Sequence, residues 1–191
     1  RLATRLFDIA GALVGLVALI VALPIVGVLT LIESGRPIFY RQVRSGAGGA
    51  SFRVLKLRTM RANAETDGPR WAERGDARVT AVGRFLRRSR LDELPQVINI
   101  LCGDMSLVGP RPERPEFIAD LERQIPLYRA RLMMRPGLTG WAQVNLPYAD
   151  SLDEARLKLE YDLYYIKHRT LGFDVWIILR TLATILRFGG R

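Results

Sequence analysis

An uninterrupted run of 24 uncharged residues, from Ile9 to Ile32, constrains the fold more than any other feature of this sequence. A straight α-helix of that length measures about 36 Å, and the hydrocarbon core of a bilayer is about 30 Å thick. Pro24 lies well inside the run. Because proline lacks a backbone N–H and its ring clashes with the preceding turn, we expect a kink or break near Val21 to Pro24. The run therefore predicts a membrane helix that bends at Pro24.

Basic residues stand on both sides of this run: Arg1 and Arg5 precede it, and Arg36, Arg41 and Arg44 follow it. Positively charged flanks prefer the cytoplasmic side of a membrane. If both flanks stay on that side, the helix enters one leaflet and returns, with the proline at the bend. A bent transmembrane helix and a buried core helix of a soluble domain remain as alternatives.

The composition indicates one folded domain with anionic partners. The 191 residues are 49% hydrophobic, which excludes a disordered chain, and 29 basic against 19 acidic residues give a net charge of +10. Of the basic residues, 26 are arginine, whose planar fork grips phosphate, although a GC-rich genome also raises the arginine content. Cys102 is the only cysteine, which excludes an intrachain disulfide and a thiolate metal cluster. The chain begins at Arg1 rather than Met, so we expect it to derive from a longer product.

Residues 36–60 are typical of a β-hairpin with a glycine-rich turn at 45–50. In its second strand, Leu55 and Leu57 would face one side and the cations Lys56 and Arg58 the other. A strand with one solvated face is the simpler alternative. Residues 61–80 are polar and contain a Gly-Pro turn, which predicts a loop with at most one short helix.

Helical patterns cover residues 94–101, 116–133 with an interruption at Pro126, 152–168 and 171–188. The last segment is apolar but carries two arginines, which favours a helix at the membrane interface over a core helix. The predicted fold class is α+β and mostly helical. It consists of a re-entrant membrane helix (1–35) and a membrane-associated cytosolic domain (36–191) with a small β-hairpin and an interfacial C-terminal helix.

The densest candidate site is residues 84–96, where four arginines crowd the adjacent carboxylates of Asp92 and Glu93 at a predicted helix start. Two adjacent carboxylates suit phosphoryl transfer, because one can attack phosphorus while the other holds Mg²⁺. Helix-capping acids paired with their arginine neighbours are the structural alternative. His168 is the only histidine, and no GxSxG or GxxxxGK[ST] pattern occurs, so rival catalytic sites lack support.

Four ordered motifs closely resemble those of the bacterial sugar transferases, the monotopic polyprenyl-phosphate phosphoglycosyl transferases. The resemblance extends from about residue 3 to residue 188. The motifs are KLRTM at 56–60, LDELPQ at 91–96, GDMSLVGPRP at 103–112 and RPGLTGWAQVN at 135–145.

The resemblance implies a role for each matching residue. Asp92 would be the nucleophile, and Glu93 would help to hold Mg²⁺ as the cofactor. The residues implied to contact substrate phosphates are basic: Lys56, Arg58, Arg87, Arg88 and Arg111. The implied reaction is ping-pong: Asp92 takes a sugar phosphate from a UDP-sugar, releasing UMP, and polyprenyl (undecaprenyl) phosphate then accepts it.

The family also has a re-entrant N-terminal helix, which favours that interpretation of the apolar run. Many small members place Ser before the helix-breaking proline, and this chain departs from them with Leu23. The segments 146–151 and 161–168 resemble members that start exopolysaccharide synthesis with a hexose phosphate; glucose, galactose and an amino sugar all remain open.

We therefore expect an Mg²⁺-dependent hexose-1-phosphate transferase at the cytoplasmic face of a bacterial inner membrane. Its partners would be a UDP-sugar, polyprenyl phosphate and membrane lipid. We expect no nucleic acid partner, because no recognition motif is present and aromatic residues are not interleaved with the basic ones. A monomer and a homo-oligomer both remain open. The alternative function is a non-catalytic basic membrane anchor that binds anionic lipid.

Overall fold

The computed structural model describes residues 2–61, 64, 76–146 and 151–186. These residues form a mostly helical α+β structure, as the sequence predicts. The α-helices are α1 (Leu2–Ser34), α2 (Ala81–Ser89), α3 (Gln96–Cys102), α4 (Pro115–Gln124), α5 (Trp141–Asn145), α6 (Leu152–His168) and α7 (Leu171–Leu186). The strands are β1 (Phe39–Ser45), β2 (Ser51–Leu57), β3 (Ser106–Val108) and β4 (Gly137–Thr139), and short 3-10 turns cover Ala47–Gly49, Leu91–Glu93 and Tyr128–Met133.

Helix α1 runs without interruption for 33 residues and contains Pro24 in its interior. The predicted break at this proline is therefore wrong, because a proline removes only one backbone hydrogen bond and the turns on either side keep theirs. A bend without a break stays a prediction. Among the described residues, α1 is the one helix long and apolar enough to cross a membrane by length and composition.

One stripe of α1 packs against the rest of the protein. The buried positions are Asp8, Ala12, Leu19, Val26, Gly27 and Thr30. Most of them are separated by three, four or seven residues, which places them on one side of the helix. Large apolar side chains cover the opposite side and are exposed: Leu13, Val14, Val17, Ile20, Val21, Ile25, Val28, Leu29 and Ile32. Helix α1 is thus neither a fully buried core helix nor detached from the domain.

Two glycines let α1 approach the domain closely. A Cβ atom built on Gly11 would lie 2.5 Å from Leu107 Cδ1, and one built on Gly15 would lie 2.7 Å from Val97 Cγ1. Carbon atoms do not pack at such distances, so any larger residue displaces its neighbour or α1. The glycines in the apolar run therefore mark the side of the helix that docks.

The N-terminal end of α1 is attached by polar side chains. Arg5 donates to the carbonyl of Ile100 at 2.6 Å and to that of Leu101 at 2.9 Å, near the end of α3. Asp8 accepts hydrogen bonds from Ser106 Oγ at 2.8 Å and from Leu107 N at 2.9 Å, in β3. These contacts fix the start of the apolar helix to two elements of the domain.

The C-terminal end of α1 is attached as well. The Glu33 carboxylate accepts hydrogen bonds from the backbone N–H groups of Ala81 at 2.7 Å and Val82 at 2.9 Å, at the start of α2. The Thr80 side chain caps the same helix by accepting from Gly83 N at 3.0 Å. Both ends of α1 are therefore hydrogen-bonded to the same domain.

The predicted hairpin is confirmed. Strands β1 and β2 pair antiparallel, from Phe39 opposite Leu57 to Ser45 opposite Ser51. The hairpin joins the core through Val54 of β2, which packs with residues of α1 and α3. Lys56 then projects to Glu93, one of the two candidate carboxylates.

A second, parallel pair of strands was not predicted. Strand β3, within the third sequence motif, pairs with β4, with Ser106 opposite Gly137 and Val108 opposite Thr139. A three-residue strand is too short to produce an alternating pattern in the sequence. A Cβ on Gly137 would lie only 2.0 Å from Gly109 N, so this glycine permits the close approach. The pairing brings the third and fourth sequence motifs together.

The predicted helices exist, with shifted ends. Helix α3 starts two residues later than predicted and follows a 3-10 turn, and the predicted 116–133 helix divides into α4 and a 3-10 turn on either side of Pro126. Helix α6 has the predicted bounds and begins with a capping box between Ser151 and Glu154. The predicted turn at residues 68–69, most of the 61–80 loop, residues 147–150 and residues 187–188 lie outside the described residues.

Helix α7 is buried along one side only. Asp174 and Ile177 are buried. Six large apolar side chains of the helix are exposed: Leu171, Val175, Trp176, Leu179, Leu182 and Leu186. A core helix would hide these side chains, so the exposed side suits the interfacial position, which stays a prediction. The division of the chain at residue 35 also stays a prediction.

Candidate active site

The two candidate carboxylates lie in a tight turn between α2 and α3. Arg90 ends α2 in the left-handed conformation, with φ at 58°. The chain then forms the 3-10 turn Leu91–Glu93, in which Glu93 N donates to the carbonyl of Arg90 at 3.2 Å. This turn directs Asp92 and Glu93 inward, where they are 8% and 6% exposed. The predicted helix start is thus a separate turn that buries both acids.

Glu93 lies among three cations. Lys56 Nζ is 2.7 Å from its Oε1, Arg111 Nη1 is 3.3 Å from its Oε2, and Arg111 Nη2 also contacts Oε1. Arg90 Nη1 lies 3.8 Å from Oε2. Burial alone would raise the pKa of Glu93, but Arg111 and Lys56 outweigh it and hold the pKa well below its ordinary value. Glu93 is therefore ionised and its charge is compensated.

Asp92 has a different environment. Burial first, and the charge of Glu93 second, raise the pKa of Asp92 to about 6, while Lys56, Arg87 and Arg111 oppose the shift. Across the described part of the chain, no hydrogen-bond donor reaches its carboxylate. No donor among the described residues therefore occupies the lone pairs of the Asp92 oxygen atoms, which suits a nucleophile.

Hydrogen bonds from other elements fix the backbone around Arg111. Four successive carbonyls, at positions 110–113, each accept a hydrogen bond, at distances between 2.9 and 3.1 Å. The donors, in that order, are Gly137 N, Arg131 Nη2, Arg44 Nη1 and Ser45 N. They come from β4, from the 3-10 turn before it and from β1. This frame fixes the chain from which the Arg111 guanidinium reaches Glu93.

The other predicted phosphate-binding residues lie in three different places. Arg87, in the last turn of α2, donates from Nε to Thr59 Oγ1 at 2.9 Å and acts on the charge of Asp92. Arg58 instead donates to the carbonyls of Ser34 at 3.4 Å and Arg36 at 3.1 Å, beyond the end of α1. Arg88 is exposed on α2. Lys56, Arg87 and Arg111 thus surround the carboxylates, while substrate contacts of Arg58 and Arg88 stay predictions.

Sequence reasoning gave no individual role to three residues near the site, although it counted Arg90 among the arginines around the two carboxylates. Arg90 is within reach of Glu93, and its spacing of three residues in a helical turn could have indicated this. Arg131 binds the Arg111 carbonyl from 20 residues away, which no local pattern reveals. Gln96 lies one turn after Asp92; it is 3% exposed, and its Nε2 has no hydrogen-bond partner in the described structure.

The carboxylates match the usual ligands of Mg²⁺. Among the described residues, no group of three or more acidic, histidine or cysteine side chains could hold a metal ion. Proteins usually bind Mg²⁺ through one or two carboxylates together with substrate phosphates, so a larger cluster is not needed. Asp92, whose oxygen atoms accept no hydrogen bond from the described residues, and Glu93 beside it therefore fit Mg²⁺ bound together with a diphosphate.

Comparison with known proteins supports the resemblance. The sequence profile of a family described as bacterial sugar transferase matches residues 1–188. The chain belongs to the bacterial sugar transferase family. Curated relatives of the chain include a UDP-N-acetylgalactosamine-undecaprenyl-phosphate N-acetylgalactosaminephosphotransferase of Aeromonas hydrophila, 45% identical over 184 residues. A UDP-glucose:undecaprenyl-phosphate glucose-1-phosphate transferase of Caulobacter vibrioides is 44% identical over 187 residues.

The transferase relatives differ in length. The match covers 92% of this chain but 44% of the Aeromonas protein, and 95% of this chain but 69% of the Caulobacter protein. The exopolysaccharide production protein PSS of Rhizobium leguminosarum bv. phaseoli is 36% identical over 191 residues, covering 97% of this chain and 96% of that protein. The chain therefore spans less than half the length of the Aeromonas relative and nearly the whole of the Rhizobium protein.

Proposed function

We propose that the protein is a phosphoglycosyl transferase that moves a sugar phosphate from a UDP-sugar to a polyprenyl phosphate, with undecaprenyl phosphate as the acceptor. The observation that carries the proposal is the arrangement at residues 92 and 93. A buried carboxylate that accepts no hydrogen bond from the described residues lies beside one whose charge is compensated by Lys56, Arg90 and Arg111. The names of the relatives supply the substrate classes.

In the first half-reaction, an Asp92 oxygen attacks the phosphorus that carries the sugar. The bond from this phosphorus to the bridging oxygen breaks, and UMP leaves with that oxygen. The phosphosugar stays on Asp92 as an acyl phosphate. In the second half-reaction, a phosphate oxygen of the polyprenyl phosphate attacks the same phosphorus, and the Asp92 carboxylate leaves unchanged. The sugar is then joined to the polyprenol through a diphosphate.

The cations at Glu93 have a second role in this scheme. The diphosphate of the nucleotide sugar carries negative charge, and the guanidinium of Arg111 and the ammonium of Lys56 are the nearest groups that can bind it. Arg87 adds a third positive charge, since it lowers the pKa of Asp92. Substrate phosphates would therefore compete with Glu93 for these side chains. When bound, Mg²⁺ would neutralise the diphosphate and the leaving UMP, with Glu93 as its protein ligand.

The position of α1 supports a helix that does not cross the membrane. A spanning helix places its ends on opposite sides of the bilayer, yet Arg5 and Asp8 at one end and Glu33 at the other are hydrogen-bonded to the same domain. The exposed apolar side of α1 would then face lipid, and its re-entrant path would keep both ends at the cytoplasmic face of the inner membrane, where UDP-sugars are available. The exposed side of α7 would lie in the interface.

The names of the relatives support a class of sugar donor. One relative is named for UDP-N-acetylgalactosamine and another for UDP-glucose. The exopolysaccharide production protein PSS places a relative of nearly equal length in polymer synthesis. We therefore propose a UDP-hexose or UDP-N-acetylhexosamine as donor, at the first membrane step of exopolysaccharide or other glycoconjugate synthesis. A non-catalytic lipid anchor is not favoured, because it would not need buried adjacent carboxylates.

The test is release of UMP from a panel of UDP-sugars by the purified protein in detergent, with undecaprenyl phosphate as acceptor, with and without Mg²⁺. We expect UMP release from at least one UDP-sugar, dependent on Mg²⁺ and abolished in Asp92→Asn. The variant Asp153→Asn, at an exposed acid of α6, is the matched control and should keep full activity. If no UDP-sugar gives UMP, the proposal is overturned and the non-catalytic lipid anchor becomes the better account of the protein.

A further inference from the structure

A buried ion pair lies outside the proposed reaction center. Arg131, in the 3-10 turn Tyr128–Met133, and Asp162, in α6, are 3% and 1% exposed. Arg131 Nη2 is 2.8 Å from Asp162 Oδ2, and Nε is 3.2 Å from the same oxygen. Two charges taken out of water are costly unless their remaining hydrogen-bonding groups are satisfied. The other contacts of this pair therefore indicate what it holds in place.

One of the remaining contacts of Arg131 leads to the active site. Its Nη2 donates to the backbone carbonyl of Arg111 at 3.0 Å, while its Nη1 donates to Tyr128 OH at 2.8 Å and lies 3.8 Å from Glu113 Oε1. The guanidinium of that same Arg111 contacts Glu93. A chain of direct contacts therefore runs from Asp162 on α6 through two arginines to the carboxylate beside Asp92.

We propose that Arg131 and Asp162 are a positioning pair that fixes the Arg111 guanidinium for binding the diphosphate of the nucleotide sugar. This inference rests on the proposed function, since it concerns how the UDP-sugar is held. Arg131 does not reach the carboxylates itself. It acts through its hydrogen bond to the Arg111 backbone carbonyl, while Asp162 orients the Arg131 guanidinium.

Geometry explains why such a pair matters. The Arg111 side chain is long, so a small rotation of its backbone moves the guanidinium by a large distance. Displacement of a binding group by about 1 Å can cost about 100-fold in rate. Four groups donate to the carbonyls at positions 110–113, and three of them belong to residues of strands β1 and β4. The fourth donor is Arg131, and it binds the carbonyl of Arg111 itself.

The test measures KM for the UDP-sugar in Arg131→Lys and Asp162→Asn. Lysine keeps the charge but cannot bind Asp162 and the Arg111 carbonyl in one planar fork, and asparagine keeps the shape of Asp162 without its charge. We expect KM to rise about tenfold in both. A merely structural role would lower the folded fraction, and hence the apparent kcat, but leave KM unchanged, so a partly folded variant still gives an answer.

Two control variants belong to the same turn. Tyr128→Phe removes the hydroxyl group that accepts from Arg131 but leaves the contacts to Asp162 and Arg111, so its KM should stay within about twofold of wild type. Arg129→Lys changes an exposed arginine that pairs with Glu122 at the surface, and its KM should not change. A KM increase in the Arg129 variant equal to that in the Arg131 variant would overturn the inference.

The decisive comparison is a double-mutant cycle with Arg111→Ala. If Arg131 acts through Arg111, then Arg131→Lys adds no further KM increase once the Arg111 side chain is gone. The positioning role would be overturned if KM stays at the wild-type value in both Arg131→Lys and Asp162→Asn. It would also be overturned if the KM increases of Arg131→Lys and Arg111→Ala multiply in the double variant. In either case, turnover by the wild-type protein would still support the proposed function. Absence of turnover in the wild type would overturn the proposed function and this inference with it.

Discussion

Arg111 and Glu93 form a two-point ion pair in which Arg111 Nη1 lies 3.3 Å from Glu93 Oε2 while Nη2 contacts Oε1. The contact joins the turn after α2 to the chain after β3, 18 residues further on. It compensates the charge of the carboxylate next to Asp92. In the proposed reaction, a diphosphate bound at Asp92 would compete with Glu93 for the hydrogen bonds of the Arg111 guanidinium. Substrate binding would then change how the charge of Glu93 is compensated.

Replacing Arg111 with Ala should therefore weaken use of the nucleotide sugar. We expect kcat/KM for the UDP-sugar to fall by an amount corresponding to about 1.5 to 3 kcal/mol, the usual scale for a charge-assisted hydrogen bond. Steady-state kinetics and thermal unfolding of the same preparation provide the check. Arg123→Ala, at an exposed position of α4, is the matched control. If thermal stability collapses while kcat/KM is unchanged, Arg111 has a structural role only.

Helix α1 should tolerate substitution on one side only. Gly15→Leu places its side chain where Val97 Cγ1 lies 2.7 Å from the built Cβ, so overpacking should destabilise the protein by about 1 to 3 kcal/mol. Val14→Leu, at the neighbouring exposed position, should have little effect. Thermal unfolding in detergent measures both variants. Equal stability of the two would mean that α1 does not dock through its glycine side.

The charge of Glu113 should stabilise the fold above the acid range. Burial would raise its pKa, but Lys158, Arg131 and Arg44 outweigh burial and lower the pKa to about 2. A lowered folded-state pKa stabilises the protein when the group is ionised. This contribution is present above the ordinary glutamate pKa of 4.5 and is lost as the pH falls from 4.5 towards 2. Over that range it amounts to about 3 kcal/mol.

The check is urea unfolding of the wild type and of Glu113→Gln at pH 6 and at pH 3. The wild type should be more stable than the variant at pH 6. The difference should shrink at pH 3, because Glu113 is then protonated in the unfolded chain but still ionised in the folded protein, so folding has to release its proton. Other carboxylates titrate in both proteins and cancel in the difference. A gap between the two proteins that is the same at both pH values would contradict the contribution of this ion cluster.

Both ends of α1 should lie on the cytoplasmic side. Single cysteines introduced at the exposed positions Ala3 and Arg36, in a Cys102→Ser background, should resist an impermeant thiol reagent outside intact cells and react after lysis. Labelling of position 3 from outside would show that the helix spans the membrane.

The proline in α1 can be tested by the same labelling. Pro24→Leu restores one backbone hydrogen-bond donor and should shift some molecules towards a spanning form with lower activity. If both the labelling and the activity are unchanged, Pro24 is not the cause of the re-entrant path.

Several elements follow from local patterns. The hairpin alternates, α6 carries a capping box, and the carboxylates of Asp92 and Glu93 are adjacent in sequence, so short windows suffice to find them. Lys56 and Arg111 could be linked to that pair through the family motifs. These parts of the fold and site are determined by residues within one element or one motif.

The remaining features depend on contacts across the fold. Strand β3 is recognisable only through its partner β4, and Arg131 and Asp162 are 31 residues apart with no shared motif. Arg58 is two residues from Lys56 and was predicted to share its face of the strand, but it lies past the end of β2, where it donates to carbonyls near the end of α1. Continuity of α1 at Pro24 depends on the turns around the proline rather than on the residue type.

The most direct test of the account is the mass of the intact protein after incubation with an accepted UDP-sugar and no polyprenyl phosphate. The account predicts one added phosphosugar, located to Asp92 by peptide sequencing, absent in Asp92→Asn and discharged when polyprenyl phosphate is added. An adduct on Glu93, or normal turnover in Asp92→Asn, would contradict the assignment of Asp92 as the nucleophile.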